Sequence, residues 1–158
     1  MDGRSFRQVM GRFPTGVTVV TARDGEGVPV GLTVNAVASV SLHPPLVLVC
    51  IDHASHSHDR LLSAGAFAVN VLSAAQGALA RRFASDPSEG RFDGADWSVG
   101  PGGAPVLAGV SAWLACTVEV AHEAGDHTIV VGRVHEAGVG TEEALAYYRG
   151  AFATVAAP

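Results

Sequence analysis

Residues 31–51 read GLTVNAVASVSLHPPLVLVCI: a polar-studded extended segment, a Pro44-Pro45 break, and then a nearly continuous apolar run. Thr33, Asn35, Ser39 and Ser41 occupy odd positions, which extended structure places on one face, with Val34, Ala36, Ala38 and Val40 on the other. A polar face of this kind serves either as the wetted side of an antiparallel strand or as a wall for a polar ligand. Leu46 to Ile51 has the unbroken hydrophobicity of a strand buried on both faces.

Outward from this stretch, strands dominate. Upstream, Phe6, Val9, Met10 and Phe13 fall at i, i+3, i+4 and i+7, one face of a helix that Pro14 and Gly16 end. Val17 to Thr21 is β-branched throughout, and Asp24-Gly25-Glu26-Gly27 supplies a turn into the next extended run, so a hairpin is expected. Downstream, a polar loop DHASHSHD (52–59) leads into a short helix from about Ser57 to Ala64, with Gly65 as its stop. Residues 66–72 read as a strand, 74–84 as a helix, and 85–103 as a long loop anchored by Phe92 and Trp97. Residues 112–121 and 128–139 are two strands joined closely enough to pair antiparallel, and the tail around Tyr147, Tyr148 and Arg149 offers a final edge. With no regular strand-helix-strand alternation, the fold class is mainly β: an antiparallel barrel with short peripheral helices, in one domain spanning 1–158.

Composition excludes several functions. The chain has 158 residues, 48% hydrophobic content and a mean hydropathy of +0.30, enough apolar material for a packed core. Its ten basic residues are all arginine, scattered along a chain of net charge −5, which argues against nucleic acid as a partner. Without lysine there is no P-loop, no Schiff-base lysine and no lysine base. Cys50 and Cys116 sit in separate apolar runs, the pattern of two buried thiols in a reducing compartment. The opening MDGRSFRQVMGRF lacks the apolar run of a signal peptide, and no stretch of about twenty apolar residues exists to span a bilayer. A cytoplasmic protein without membrane contact is expected.

Gly25, Gly27 and Gly31 give G-x-G-x-x-x-G, one residue too long for a dinucleotide fingerprint and followed by a strand, and there is no G-x-S-x-G elbow. That silence suits hydride transfer between cofactors, which needs two rings held in contact and little acid-base help. The loop 52–59 admits two functional uses besides plain capping. His53, His56 and His58 with Asp52 and Asp59 carry metal-ligand chemistry, although not at helical H-x-x-x-H spacing. Alternatively, Ser55 or Ser57 as N-cap, beside free backbone N–H groups, makes an anion site suited to phosphate.

In order along the chain, FPTGVTVVT (13–21), the 31–51 stretch, the S-x-S loop (55–57), AFAVNVL (66–72), ARRFA (80–84) and AGDHTIVVGRV (124–134) resemble the short-chain flavin reductases. These are the reductase partners of two-component flavin-dependent monooxygenases and share the FMN-binding split-barrel fold. The resemblance implies an NAD(P)H:flavin oxidoreductase, FMN or FAD as flavin, NADH or NADPH as hydride donor, a homodimer with the flavin near the subunit boundary, and a separate monooxygenase served by diffusing reduced flavin. A non-catalytic flavin carrier on the same fold shares every binding feature, and a metal protein built on the His53–His58 loop is the third reading.

The resemblance also implies a site. The flavin lies along Thr33, Asn35, Ala36, Ser39 and Ser41, with Cys50 and Ile51 approaching from the neighbouring strand. Ser55, His56 and Ser57 match the phosphate loop, which here departs from the family pattern in its richness in histidine. Arg82 and Phe83 match a pair that closes over the flavin, and Tyr148 a tail aromatic that faces the site. His127, in the Gly-Asp-His match, is the candidate catalytic residue: a donor or stacking partner that places the nicotinamide carboxamide so that the reacting atoms come within roughly 3–3.5 Å.

Overall fold

The computed structural model describes residues 1–85 and 90–155. An N-terminal helix, α1 (Gly3–Met10), is followed by β1 (Thr15–Gly16), β2 (Thr18–Arg23), β3 (Pro29–Val34), β4 (Val37–Leu42) and β5 (Pro45–Asp52). Then come α2 (His58–Ser63), β6 (Ala66–Val71), a 3-10 turn running into α3 (Gly77–Ala84), and the short strands β7 (Trp97–Val99) and β8 (Pro105–Leu107). The long hairpin β9 (Ala112–Ala124) and β10 (His127–Val139) and the short one β11 (Leu145–Tyr148) and β12 (Ala151–Thr154) complete the chain.

The main sheet has seven antiparallel strands in the order β3-β2-β6-β9-β10-β5-β4. Its curvature follows from one local fact. The chain passes from β3, at one edge, to β4, at the other, through Asn35 and Ala36 alone. A flat sheet of seven strands cannot bring its edges that close, so the sheet curls, and the Cys50 N–H donating to the Ala36 carbonyl at 3.0 Å extends the β4–β5 ladder up to the crossing. The expected split barrel is the fold observed.

β2 is buried on both faces and separates two cores. Inside the barrel, Val20 and Ala22 pack with Val49, Ile51, Phe67 and Val130. On the other side, Val17 and Val19 pack with Leu72, Phe83, Leu107 and Leu145 beneath α3. Three segments meet there in a cycle of backbone hydrogen bonds: Val17 N–H to Leu145 O (3.1 Å), Leu145 N–H to Leu72 O (2.8 Å), and Leu72 N–H to Val17 O (2.9 Å). β6 contributes a fully buried polar residue. Asn70 donates to the Val19 carbonyl (3.0 Å) and the Thr21 hydroxyl (3.1 Å) and accepts the Leu107 N–H (2.9 Å), hooking β8 to the sheet.

Four expectations need correction. β5 buries only Val47, Val49 and Ile51, and its alternate residues are half-covered because they lie on the outer face of the barrel. The segment expected as one long loop over 85–103 contains the strand β7, which pairs with β8 just beyond it, and residues 86–89 are outside those described. Phe92 does anchor it, edge-on between Phe83 (4.9 Å between centroids) and Trp97 (5.8 Å). β9 and β10 run further than expected and turn through Gly125-Asp126, with Gly125 at φ +68 as a tight hairpin requires. Finally, the expected apolar helix face is not buried: α1 ends at Met10, three residues before Phe13, and Phe6, Val9, Met10 and Phe13 are 48–68% exposed.

Candidate functional site

Two clefts adjoin at Thr33 and Ala84. The larger, about 600 Å³, lies between β3, α3 and the β11–β12 hairpin, and its lining is mostly apolar: Val17, Ala80, Tyr147, Ala151 and Phe152, with Thr33, Asn35 and Arg81 as the polar members. The smaller, about 260 Å³, continues toward the loop before α2 and is lined by Asp52, Ser55, Phe83 and Arg91 among others. The Thr33 hydroxyl is held by donation to the Ala80 carbonyl (2.7 Å), so α3 is pinned to the sheet at the junction. The Arg81 guanidinium stacks 5.2 Å from the Phe152 ring centroid, and Tyr147 meets the same ring edge-on at 5.8 Å.

The small cleft is organised by Arg91, which the sequence reading missed. Its side chain is 4% exposed; it donates to the Gly31 carbonyl (2.8 Å), the Ser57 hydroxyl (3.2 Å) and the Ser85 carbonyl (3.0 Å). One guanidinium thereby ties β3, the residue before α2 and the end of α3 together. Gly31 is constrained from the other side as well: a Cβ there would sit 3.0 Å from Phe83 and 3.1 Å from the Val20 carbonyl. The only hint in the sequence was its place beside the anchoring Phe92.

Of the expected residues, Thr33, Asn35, Ser55 and Phe83 line the clefts. Ala36 lies at the crossing, exposing its side chain and accepting the Cys50 N–H. Ser39 and Ser41 belong to edge strand β4, beyond the break at 35–36 and separated from each other by a bulge. The single polar face read over 33–41 is therefore two faces on opposite edges of the sheet. Cys50 is half-buried, with its thiol pushed up by burial, while Ile51 points into the barrel at 2% exposure and can face a ligand only through its backbone. Cys116, buried in the same core, is pushed up to about 12 by burial.

The phosphate loop also needs revision. Ser57 is fully buried and its hydroxyl donates to the Gly31 carbonyl (3.2 Å), so it braces the cleft instead of facing it. Ser55 accepts the Ser57 N–H (3.3 Å) and lines the cleft, while His56 is exposed. His53 and His58 lie on either side of the buried Thr128 hydroxyl, at 3.1 and 2.8 Å, with Glu123 and Asp59 as their carboxylate partners. Among the described residues no group of three or more His, Cys, Asp or Glu is placed to hold a metal ion. Arg82 points outward to the Asp93 carbonyl (2.6 Å), and the adjacent Arg81 lines the cleft. Likewise Tyr147 lines it and Tyr148 does not, since neighbouring residues of a strand face opposite sides.

His127 opens β10 opposite Asp52 of β5, and Asp52 lines the small cleft. Its Nδ1 lies 2.7 Å from the Asp126 carboxylate, and that hydrogen bond holds the Asp126 carboxyl below its usual range. With Nδ1 donating to the carboxylate, the tautomer this pairing favours offers Nε2 as an acceptor, in place of the donor expected from the sequence.

The clefts fit a flavin nucleotide. A mostly apolar slot with few polar groups suits a planar ring system, and a small adjoining recess suits a phosphate on its Ser55 and Arg91 side, with the Asp52 carboxylate opposing an anion on the other. Comparison with known proteins agrees. The chain is 45% identical over 153 residues to a probable flavin reductase of Rhizobium meliloti (strain 1021), covering 97% of this chain and 49% of that protein, so it spans about half of that relative's length. It is 42% identical over 154 residues to the reductase subunit HsaB of a flavin-dependent monooxygenase from Rhodococcus jostii (strain RHA1), covering 96% of this chain and 77% of the relative. The solved structure of the Streptomyces globisporus C-1027 NADH:FAD oxidoreductase SgcE6, in complex with NAD and FAD fragments, superposes with a TM-score of 0.91 at 43% identity, covering 98% of this chain and 93% of that one. The family model of the flavin reductase like domain matches residues 10–156, and the chain belongs to that family.

Proposed function

We propose that this chain is an NAD(P)H:flavin oxidoreductase that passes a hydride from NADH or NADPH to FMN or FAD and supplies the reduced flavin to a separate monooxygenase. The observation that carries this reading is the pair of adjoining clefts at Thr33 and Ala84, a ring-sized apolar slot opening onto a phosphate-sized recess. The likeness to a monooxygenase reductase subunit and to an NADH:FAD oxidoreductase supports it. The flavin, when bound, supplies the hydride-accepting ring, and the chain supplies binding and orientation. Val17, Ala80 and Phe152 exclude water from the slot, Asn35 and Thr33 offer polar groups along it, and Ser55 and Arg91 take the phosphate. His127 Nε2 accepts from the nicotinamide carboxamide, in an orientation fixed by Asp126.

The test is oxidation of NADH or NADPH with added FMN, FAD or riboflavin, followed at the nicotinamide absorbance band. Turnover is expected with at least one pairing, and none with any pairing removes this reading in favour of a non-catalytic flavin carrier. His127→Ala is expected to lower kcat/KM for the nicotinamide about tenfold or more while leaving the flavin Kd unchanged. Equal activity of the variant would sink the role given to His127.

We also infer a homodimer in the cytoplasm. Both cysteines are free, as a reducing compartment favours, and no helix among the described residues is long and apolar enough to cross a membrane. The exposed Phe6, Val9 and Met10 of α1, with Phe13 just after it, are the patch a second copy would cover. Phe6→Ser/Phe13→Ser is expected to halve the mass measured by light scattering at micromolar concentration, and a monomeric wild type overturns the assignment.

A further inference from the structure

Six of the ten arginines have partners: Arg23 and Arg82 bond backbone carbonyls, Arg60 and Arg133 pair with carboxylates, Arg81 stacks on Phe152, and Arg91 organises the small cleft. The other four, Arg4, Arg7, Arg12 and Arg149, have no side-chain hydrogen bond or ion pair among the described residues. All four line one pocket of about 570 Å³ between α1 and the β11–β12 turn, with no acidic residue in its lining. In a chain of net charge −5 this concentrates unneutralised positive charge in one concavity, at the cost of like-charge repulsion along α1.

The backbone keeps the charges together. The Arg149 N–H donates to the Gly11 carbonyl (2.9 Å), fixing the β11–β12 turn against the end of α1. Arg149 has φ +53 and is the only residue other than glycine at positive φ among those described. Arginine has no preference for that conformation, whereas a two-residue hairpin accepts glycine there without strain. A strained arginine at a turn that glycine would suit marks a side chain retained for its charge. Gly150, the next residue, lines both this pocket and the apolar slot, and a Cβ there would meet nothing within 4 Å, so the two spaces adjoin at an open point.

We infer that the Arg4–Arg7–Arg12–Arg149 pocket is a second anion site that takes the pyrophosphate of a dinucleotide whose ring end lies in the slot. The dinucleotide part rests on the oxidoreductase reading. The small cleft serves the single phosphate of a flavin mononucleotide, whereas a dinucleotide leaving the slot past Gly150 carries its pyrophosphate to the guanidinium cluster, whose forked donors match phosphate oxygens. Either dinucleotide, nicotinamide or flavin, has this chemistry.

The test uses the full chain, Arg7→Gln/Arg12→Gln and, separately, Arg149→Gly, which removes the charge while relieving the turn and so is expected to melt at or above the wild-type temperature. By calorimetry the wild type is expected to bind inorganic pyrophosphate, and both variants to bind it about tenfold or more weakly, with the FMN Kd unchanged within about twofold. A rise in KM for NADH or NADPH identifies the nicotinamide dinucleotide as occupant, and a rise in the FAD Kd alone the flavin dinucleotide. A wild type that does not bind pyrophosphate, variants that bind it equally well, or an FMN Kd that weakens in step overturns the site. Loss of pyrophosphate binding with KM and FAD Kd both unmoved overturns the dinucleotide assignment and points to an acidic protein surface. Pyrophosphate binding by a wild type that oxidises no nicotinamide overturns the oxidoreductase reading and supports the anion site.

Discussion

Arg91→Met is expected to melt about 4–12 °C below the wild type and to bind flavin more than about tenfold more weakly. Methionine fills the aliphatic volume but donates nothing to the Gly31 carbonyl, the Ser57 hydroxyl or the Ser85 carbonyl. Each loses a charge-assisted bond inside the fold, together about 2–3 kcal/mol after partial rehydration. The binding loss follows because the same guanidinium lines the phosphate recess and sets the distance between β3 and α3 across it. Arg91→Lys keeps the charge without the fork and recovers only part of both losses. Thermal melts and flavin-fluorescence titration measure the two effects, and a variant with unaltered flavin affinity would show that the recess is not a phosphate site.

Asn70→Leu carries the largest stability effect expected away from the clefts. Leucine keeps the number and branching of the side-chain heavy atoms but none of their polarity, so the hydrogen bonds are lost and its bulkier methyl groups add overpacking to that cost. It removes the donor to the Val19 carbonyl and the Thr21 hydroxyl and the acceptor of the Leu107 N–H, at a position with no exposure to water. Stranding these groups costs about 3 kcal/mol or more, which for a chain of this size lowers Tm by roughly 6–12 °C. Because β8 is attached to the sheet through that Leu107 bond and the Thr21 hydroxyl's bond to the Pro105 carbonyl, and only the second survives, hydrogen exchange is expected to accelerate first in β7 and β8. A Tm within about 2 °C of wild type would mean that water or a neighbour replaces Asn70, and the account of the network would be wrong.

Legibility from sequence followed the range of the interaction. The β-branched runs, the Asp24 to Gly27 turn and the Gly65 helix stop are local signals, and each element formed where it was read. Where a residue faces depends on partners distant in the chain, and there the reading slipped by single positions, with Tyr147 lining the slot in place of Tyr148 and Arg81 in place of Arg82, while of the expected Ser55 and Ser57 only Ser55 lines a cleft. The polar alternation over 33–41 was real, but a two-residue passage between opposite sheet edges lies inside it, and alternation carries no trace of such a passage. Arg91 and the four-arginine pocket were illegible for a related reason. A scattered arginine has no motif, and Arg149 joins Arg4, Arg7 and Arg12 only after the last hairpin has folded back onto α1.

The cycle of hydrogen bonds among Val17, Leu72 and Leu145 also sets a timetable for biosynthesis. Its members come from the beginning, the middle and the late part of the chain, and each carbonyl or amide is buried once the ring closes. A ribosome that has delivered β1 to β10 has delivered a barrel whose second core still lacks Leu145, and whose main cleft still lacks Tyr147 and Phe152. The nascent protein therefore acquires its ligand-binding slot in a late, non-local step, after most of its sheet is already paired.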